Sequence, residues 1–175
     1  MHLDHPLKGY PSTMDPLSLA MLAGFALACF AVATTATVYR PGPWYQRLRK
    51  PWWTPPDWMF PVVWSVLYVM IAVSGWLVWR ERGFGGAPLP LGLFAVQLLL
   101  NGLWSPIFFG LRRLDLAFYE LILLWLSIAL CIALFAPISA TAALLLAPYL
   151  VWVTVAGCLN WTVWQMNRGE ARATS

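Results

Sequence analysis

Gln97, Asn101, Trp104 and Phe108 recur at i, i+4, i+7 and i+11, the interval at which residues share one face of a helix. They lie in a largely apolar run. An amide both donates and accepts hydrogen bonds, and an indole adds a donor to an aromatic face. Such a face can line a cavity, stack on a flat apolar ligand and orient its polar group. The same amides can instead bond to neighbouring helices, because an unpaired polar group in hydrocarbon costs several kcal/mol. Both readings remain open from spacing alone. A second face of this kind holds Trp152, Ala156 and Asn160 at i, i+4 and i+8, with Tyr149 beside it and Pro148 at its start. A third holds Trp64, Tyr68, Ile71 and Gly75. Pro106 removes an N–H next to the first face, frees the carbonyl of Gly102 and is expected to kink its helix.

The chemistry these faces suggest is recognition rather than turnover. The chain contains no GxSxG, Walker, GxGxxG or HExxH pattern. Its histidines, His2 and His5, are solvated terminal residues in this reading, and no metal site is expected. Cys29, Cys131 and Cys158 lie inside apolar runs without metal-ligand spacing and read as small buried hydrophobes. No lysine lies in an apolar run, which excludes a retinal-type Schiff base. Glu120 stands near the end of one run, where an acid can reach the interface or pair with an arginine, so it is not assigned a catalytic role.

The elements that must position these faces are membrane-spanning helices. Hydrophobic residues make up 61% of the 175 positions and charged residues 10%, against about 45–50% and about 25% in soluble domains. A spanning helix needs about 20 mostly apolar residues. Five runs qualify, near 17–39, 58–79, 89–111, 115–135 and 141–164. The expected fold is an all-α integral membrane protein, a bundle of five transmembrane helices, with a lead at 1–16 and a tail at 165–175. The lead lacks the charged start and cleavage site of a signal peptide. Ala20, Gly24 and Ala28 form a small-residue stripe that allows close helix packing within the monomer or in a dimer.

From the gap between the first two runs into the second, Trp44 to Tyr68 carries five tryptophans among Pro51, Pro55, Pro56 and Pro61. A Pro-Pro pair beside Lys-Pro-Trp-Trp cannot be ordinary helix, so a stiff folded loop is expected. Trp44, Trp58, Trp76, Trp79, Trp161 and Trp164 read as interfacial anchors. Lys8, Arg80 and Arg82 fall on one side of the membrane; Arg40, Arg47, Arg49, Lys50, Arg112, Arg113, Arg168 and Arg172 fall on the other. The positive-inside rule places the second side in the cytoplasm, with the N-terminus outside and the C-terminus inside, which fits a bacterial inner membrane. The net charge of +4 needs no nucleic-acid partner.

Five blocks, in order, carry a family resemblance: WY (Trp44, Tyr45), KPWWTPP (Lys50 to Pro56), FPxxWxxLY (Phe60 to Tyr68), NxLWSPxFF (Asn101 to Phe109) and PYLxWxxxAxxLN (Pro148 to Asn160). From about Leu19 to Asn167 the chain resembles the TspO/MBR family, the tryptophan-rich sensory proteins of bacteria and the mitochondrial translocator protein, or peripheral-type benzodiazepine receptor. The resemblance implies a five-helix bundle, commonly a homodimer, with a ligand pocket opening toward the cytoplasm under the first loop. It implies porphyrin ligands, protoporphyrin IX above all, with sterol-like lipids and benzodiazepine-type drugs beside them, and no covalently bound cofactor. Carried over by motif, the pocket takes Trp64, Asn101, Trp104, Trp152 and Ala156, with Tyr45 from the loop. The faces read from spacing add Tyr68, Gln97 and Tyr149 as ligand-binding candidates. One departure concerns sterol: the cholesterol-recognition pattern needs a tyrosine where this chain has Trp161, and only a loose aromatic-to-Arg168 version remains.

The function expected is a tetrapyrrole-binding sensor or regulator, with porphyrin transport or metabolism as an extension. Light-dependent porphyrin degradation, with Trp64 or Trp152 supplying an electron, is the enzymatic alternative. A membrane scaffold for protein partners is the other. The absence of an internal repeat weighs against the common inverted-repeat transporters.

Overall fold

The structure, a computed structural model, describes residues 15–172. His2, His5 and Lys8 lie outside the described residues. Five helices are long and apolar enough to cross a membrane. Helix α1 (Pro16–Val38) starts where Asp15 accepts a hydrogen bond from the Ser18 N–H and Pro16 occupies the first turn. A short α2 (Pro43–Arg47) follows. The Trp/Pro loop is then folded by local bonds: the Thr54 N–H and hydroxyl both donate to Pro51 O, at 3.1 and 2.7 Å, and the Met59 N–H donates to Pro56 O at 2.9 Å.

Helix α3 (Met59–Gly86) is interrupted at Gly83, whose φ of 63° lies in the left-handed region that glycine tolerates. The chain therefore begins to turn inside a helix that resumes for a few residues. Helix α4 (Pro88–Ser105) passes into a π-helical turn (Pro106–Gly110), in which the Leu111 N–H donates to Pro106 O at 2.8 Å. Pro106 cannot donate to Gly102, and a widened turn follows it where a simple kink was expected. Arg112, at φ 57°, turns the chain toward α5 (Leu114–Phe135). Helix α6 (Ala140–Arg172) carries Pro148 and runs on through residues read from sequence as a tail, since polar residues need not end a helix that has left hydrocarbon.

The spanning helices close into a ring in the order α1, α3, α6, α5, α4, with α3 and α4 also touching. Leu27, Phe30, Val69 and Leu144 point outward on the lipid face. The interior is held by fit and by hydrogen bonds, since lipid supplies no hydrophobic drive between helices. Ser74 Oγ donates to Ala142 O at 2.7 Å across α3 and α6, and Asn160 Nδ2 donates to Leu114 O at 2.8 Å across α6 and α5. Trp76, expected to be an interfacial anchor, also ties α1 to α3: its Nε1–H reaches Ser18 O at 3.0 Å and Ser18 Oγ at 3.2 Å.

Gly75 marks the closest approach. A Cβ there would stand 2.7 Å from Phe94 Cζ and 2.9 Å from the Phe25 ring. Phe25 and Phe94 are themselves packed edge to face at 5.6 Å. Gly75→Ala should therefore destabilise the bundle by about 1–3 kcal/mol through overpacking. Gly24, on the same α1 as Phe25, has open space around its Cβ position, and Gly24→Ala should be neutral or gain up to about 1 kcal/mol in helix propensity. Thermal melting of the two variants in detergent, followed by circular dichroism, checks the contrast.

Candidate functional site

Three helices converge on Asn101. Tyr68, from α3, donates its hydroxyl hydrogen to Asn101 Oδ1 at 2.7 Å. Asn101 Nδ2 donates to the Tyr149 hydroxyl oxygen, from α6, at 2.8 Å. The amide is 7% exposed and Tyr149 fully buried. Both ends of the side chain thus have partners inside the protein, and the helix-to-helix reading of Asn101 holds.

One indole packs directly against this bridge, and others stand on the helices it joins. Trp64 lies 5.3 Å from Tyr68 and 6.0 Å from Tyr149, centroid to centroid. Trp152 packs edge to face on Phe60 at 5.7 Å. Trp64, Tyr68, Trp104 and Trp152 are all half-buried against the main core, so each keeps part of its surface free. Trp104 stacks on Phe108 at 4.7 Å and belongs also to a second core toward the loop end, with Tyr45 and Val163. Ala156 is half-buried on the α6 face that carries Tyr149 and Trp152, so a methyl group occupies that stretch of wall.

Tyr45 covers the loop end. Its ring meets Phe108 at 6.1 Å and Phe109 at 5.5 Å, and Lys50 Nζ sits 4.4 Å from its centroid. Burial pushes the Tyr45 phenol above its ordinary pKa, and the Asp57 charge raises it further. The loop is clamped to α6: the Arg49 N–H donates to Asn167 Oδ1 at 3.0 Å, and Asn167 Nδ2 donates to Arg49 O at 3.0 Å.

Gln97 stands apart from the bridge. It is 1% exposed, one turn from Asn101, and neither its oxygen nor its nitrogen has a partner among the described residues. The indole N–H of Trp104 is likewise buried without an acceptor. Glu120 neither reaches the interface nor pairs with an arginine: it is buried and unpartnered, while Arg113 is held by Asp115 at 2.9 and 2.7 Å. Glu120 sits on the inward stripe of α5 with Ala117, Leu121 and Leu124, and this stripe carries it into the bundle. Sequence reasoning did not single out Phe60 or Asn167. Phe60 stood within a quoted motif, but only the folded chain shows that it meets Trp152. Asn167, in the expected tail, had no signal, because its partner is a backbone 118 residues away. No cluster of His, Cys, Asp and Glu among the described residues could hold a metal ion.

Comparison with known proteins places these features in a family. The model of the TspO/MBR family matches residues 18–165. Protein CrtK of Rhodobacter capsulatus is 43% identical over 163 residues, covering 90% of this chain and 99% of the relative. A tryptophan-rich sensory protein of Cereibacter sphaeroides is 39% identical over 156 residues, covering 88% of this chain and 97% of the relative. The human translocator protein is 41% identical over 128 residues, covering 72% and 76%.

The bridge can be tested by its additivity. Hydrogen bonds between membrane helices contribute about 0.6 kcal/mol on average and up to about 1.7 kcal/mol. Asn101→Leu breaks both bonds and should lower stability by about 1–3 kcal/mol, more than Tyr68→Phe or Tyr149→Phe alone. Denaturant unfolding of the single and paired variants should also show coupling between each tyrosine and Asn101.

Proposed function

The chain belongs to the TspO/MBR family, and from that premise we propose that this multi-pass integral membrane protein is a sensory or regulatory protein that binds a tetrapyrrole, protoporphyrin IX or a close relative, without turnover. The observation that carries this reading is that half-buried Trp64, Trp104 and Trp152 stand on α3, α4 and α6, the three helices that the Tyr68–Asn101–Tyr149 bridge joins. A porphyrin is flat, aromatic and apolar, with carboxylates at one edge. Indole faces suit its plane, at about 0.5–1.5 kcal/mol per aromatic pair beyond area burial. The bridge holds Tyr68 and Tyr149 in place, so these walls are rigid before a ligand arrives. Lys50 and the loop arginines supply positive charge for the carboxylate edge. The name of the Cereibacter relative, a tryptophan-rich sensory protein, agrees with a regulatory role.

The proposal includes a homodimer, supported by Gly24, which faces open space on an α1 whose Leu27 and Phe30 are exposed. It also includes the orientation set by charge, with the Trp/Pro loop and the C-terminus on the cytoplasmic side of a bacterial inner membrane.

Titration of purified protein with protoporphyrin IX in the dark tests the ligand. Saturable binding is expected, weakened about tenfold in Trp64→Phe/Trp152→Phe, which corresponds to about 1.4 kcal/mol of lost stacking. Equal binding by both proteins would count against the reading. For orientation, a C-terminal fluorescent-protein fusion should fluoresce, and a C-terminal alkaline phosphatase fusion should be inactive.

A further inference from the structure

Glu120 places a carboxyl inside the bundle where no protein group answers it. It is 6% exposed, and neither carboxyl oxygen has a hydrogen-bond partner among the described residues. The register of α5 against α6 follows from two bonds: Asn160 Nδ2 to Leu114 O, and Trp125 Nε1 to Thr154 Oγ1 at 2.9 Å. The helices run antiparallel, so between these bonds Glu120 lies level with Ala156 and Gly157. Both are small, and Ala156 shares its face with Tyr149 and Trp152. Two further buried groups lack partners on the flanking helices, the Trp104 indole N–H on α4 and Asn160 Oδ1 on α6. Buried polar groups of this kind are normally satisfied by water or a ligand.

No lysine, arginine or histidine is buried among the described residues, and Arg113, near the start of α5, is occupied by Asp115. An ionised carboxylate at Glu120 would be an uncompensated charge in a medium of low dielectric constant. The protonated acid is the form this seam accommodates, and it has one O–H to donate. We propose that Glu120, as the neutral acid, is a specificity residue for the bound tetrapyrrole, donating a hydrogen bond to one of its carboxyl groups, which enters this seam as the neutral acid as well. This rests on the tetrapyrrole reading above. It assigns one polar contact of the ligand to α5, a helix that contributes none of the aromatic walls. Two neutral carboxyl groups can each donate to and accept from the other, so the contact brings no unpaired charge into the bundle.

The test compares two porphyrins on the purified full-length protein: protoporphyrin IX, which carries carboxylates, and etioporphyrin, which carries only alkyl groups. Glu120→Leu should weaken protoporphyrin IX about tenfold, the loss of its hydrogen bonding to the ligand carboxyl, and leave etioporphyrin unchanged. Glu120→Gln keeps a donor and should hold protoporphyrin IX within about threefold of wild type. Leucine is apolar and of similar bulk, so the variant is expected to fold; the glutamine variant gives an independent reading if it does not. An equal loss for both porphyrins would make Glu120 a packing residue and overturn the assignment, as would no change for either. If wild type binds neither porphyrin, the tetrapyrrole reading itself falls, and this assignment with it. If wild type binds both and the variants do not discriminate, only the role of Glu120 falls.

Discussion

The need to satisfy polar groups in hydrocarbon organises the centre of this protein. Asn101 would be costly on an isolated helix in lipid. In the bundle it accepts from Tyr68 and donates to Tyr149, joining α3, α4 and α6 at one point. Those helices cannot slide or rotate independently without breaking the bridge. Because Tyr68 and Tyr149 are aromatic, the same bonds also fix the rings that face Trp64. Polar satisfaction and the shape of the aromatic wall therefore have one cause.

Toward the loop end the constraint is different. A stretch dense in proline and tryptophan cannot be helical, yet its backbone groups need partners. The Thr54 and Met59 turns satisfy some of them locally. The Arg49 backbone is satisfied at long range by Asn167, so the loop is tied to the far end of α6. Tyr45 then packs onto Phe108 and Phe109, beside the π-helical turn that follows Pro106. A residue type that breaks helices thus has two effects here. It makes the loop stiff, and it widens α4 where the loop's tyrosine lands.

The twelve tryptophans divide by neighbourhood rather than by type. Trp161 and Trp164 pack on each other and on Arg168, whose guanidinium carbon stands 5.7 and 4.2 Å from their rings, an interfacial arrangement of cation and indole. Trp125 bonds to Thr154 on an exposed face. Trp64, Trp104 and Trp152 instead lie half-buried against the inner core. Trp104 leaves its N–H without a partner, as Glu120 leaves its carboxyl on α5. Unanswered polar groups and partly free aromatic surface thus occur together on α4 and α6.

Much of this was legible in the sequence, because it depends on composition and period. Apolar runs of spanning length dictate five helices whatever their partners, and five ordered motifs assign the family. Spacing at i, i+4, i+7 and i+11 put Gln97, Asn101 and Phe108 on one face, and all are buried. Spacing cannot say what a face meets. Asn101 and Gln97 are both amides on that face, yet one is doubly bonded and the other has no protein partner. Only the crossing of α3 and α6 over α4 separates them. Asn167 was read as tail until its partner, an Arg49 backbone distant in sequence, came beside it. Glu120, near a helix end, is expected from sequence to reach the interface or pair with an arginine, and the rotation of α5 against α4 and α6 turns it inward instead. Period and composition act within a helix and are written locally. The partners of a polar side chain are set by neighbouring helices, and their positions exist only once the bundle has closed.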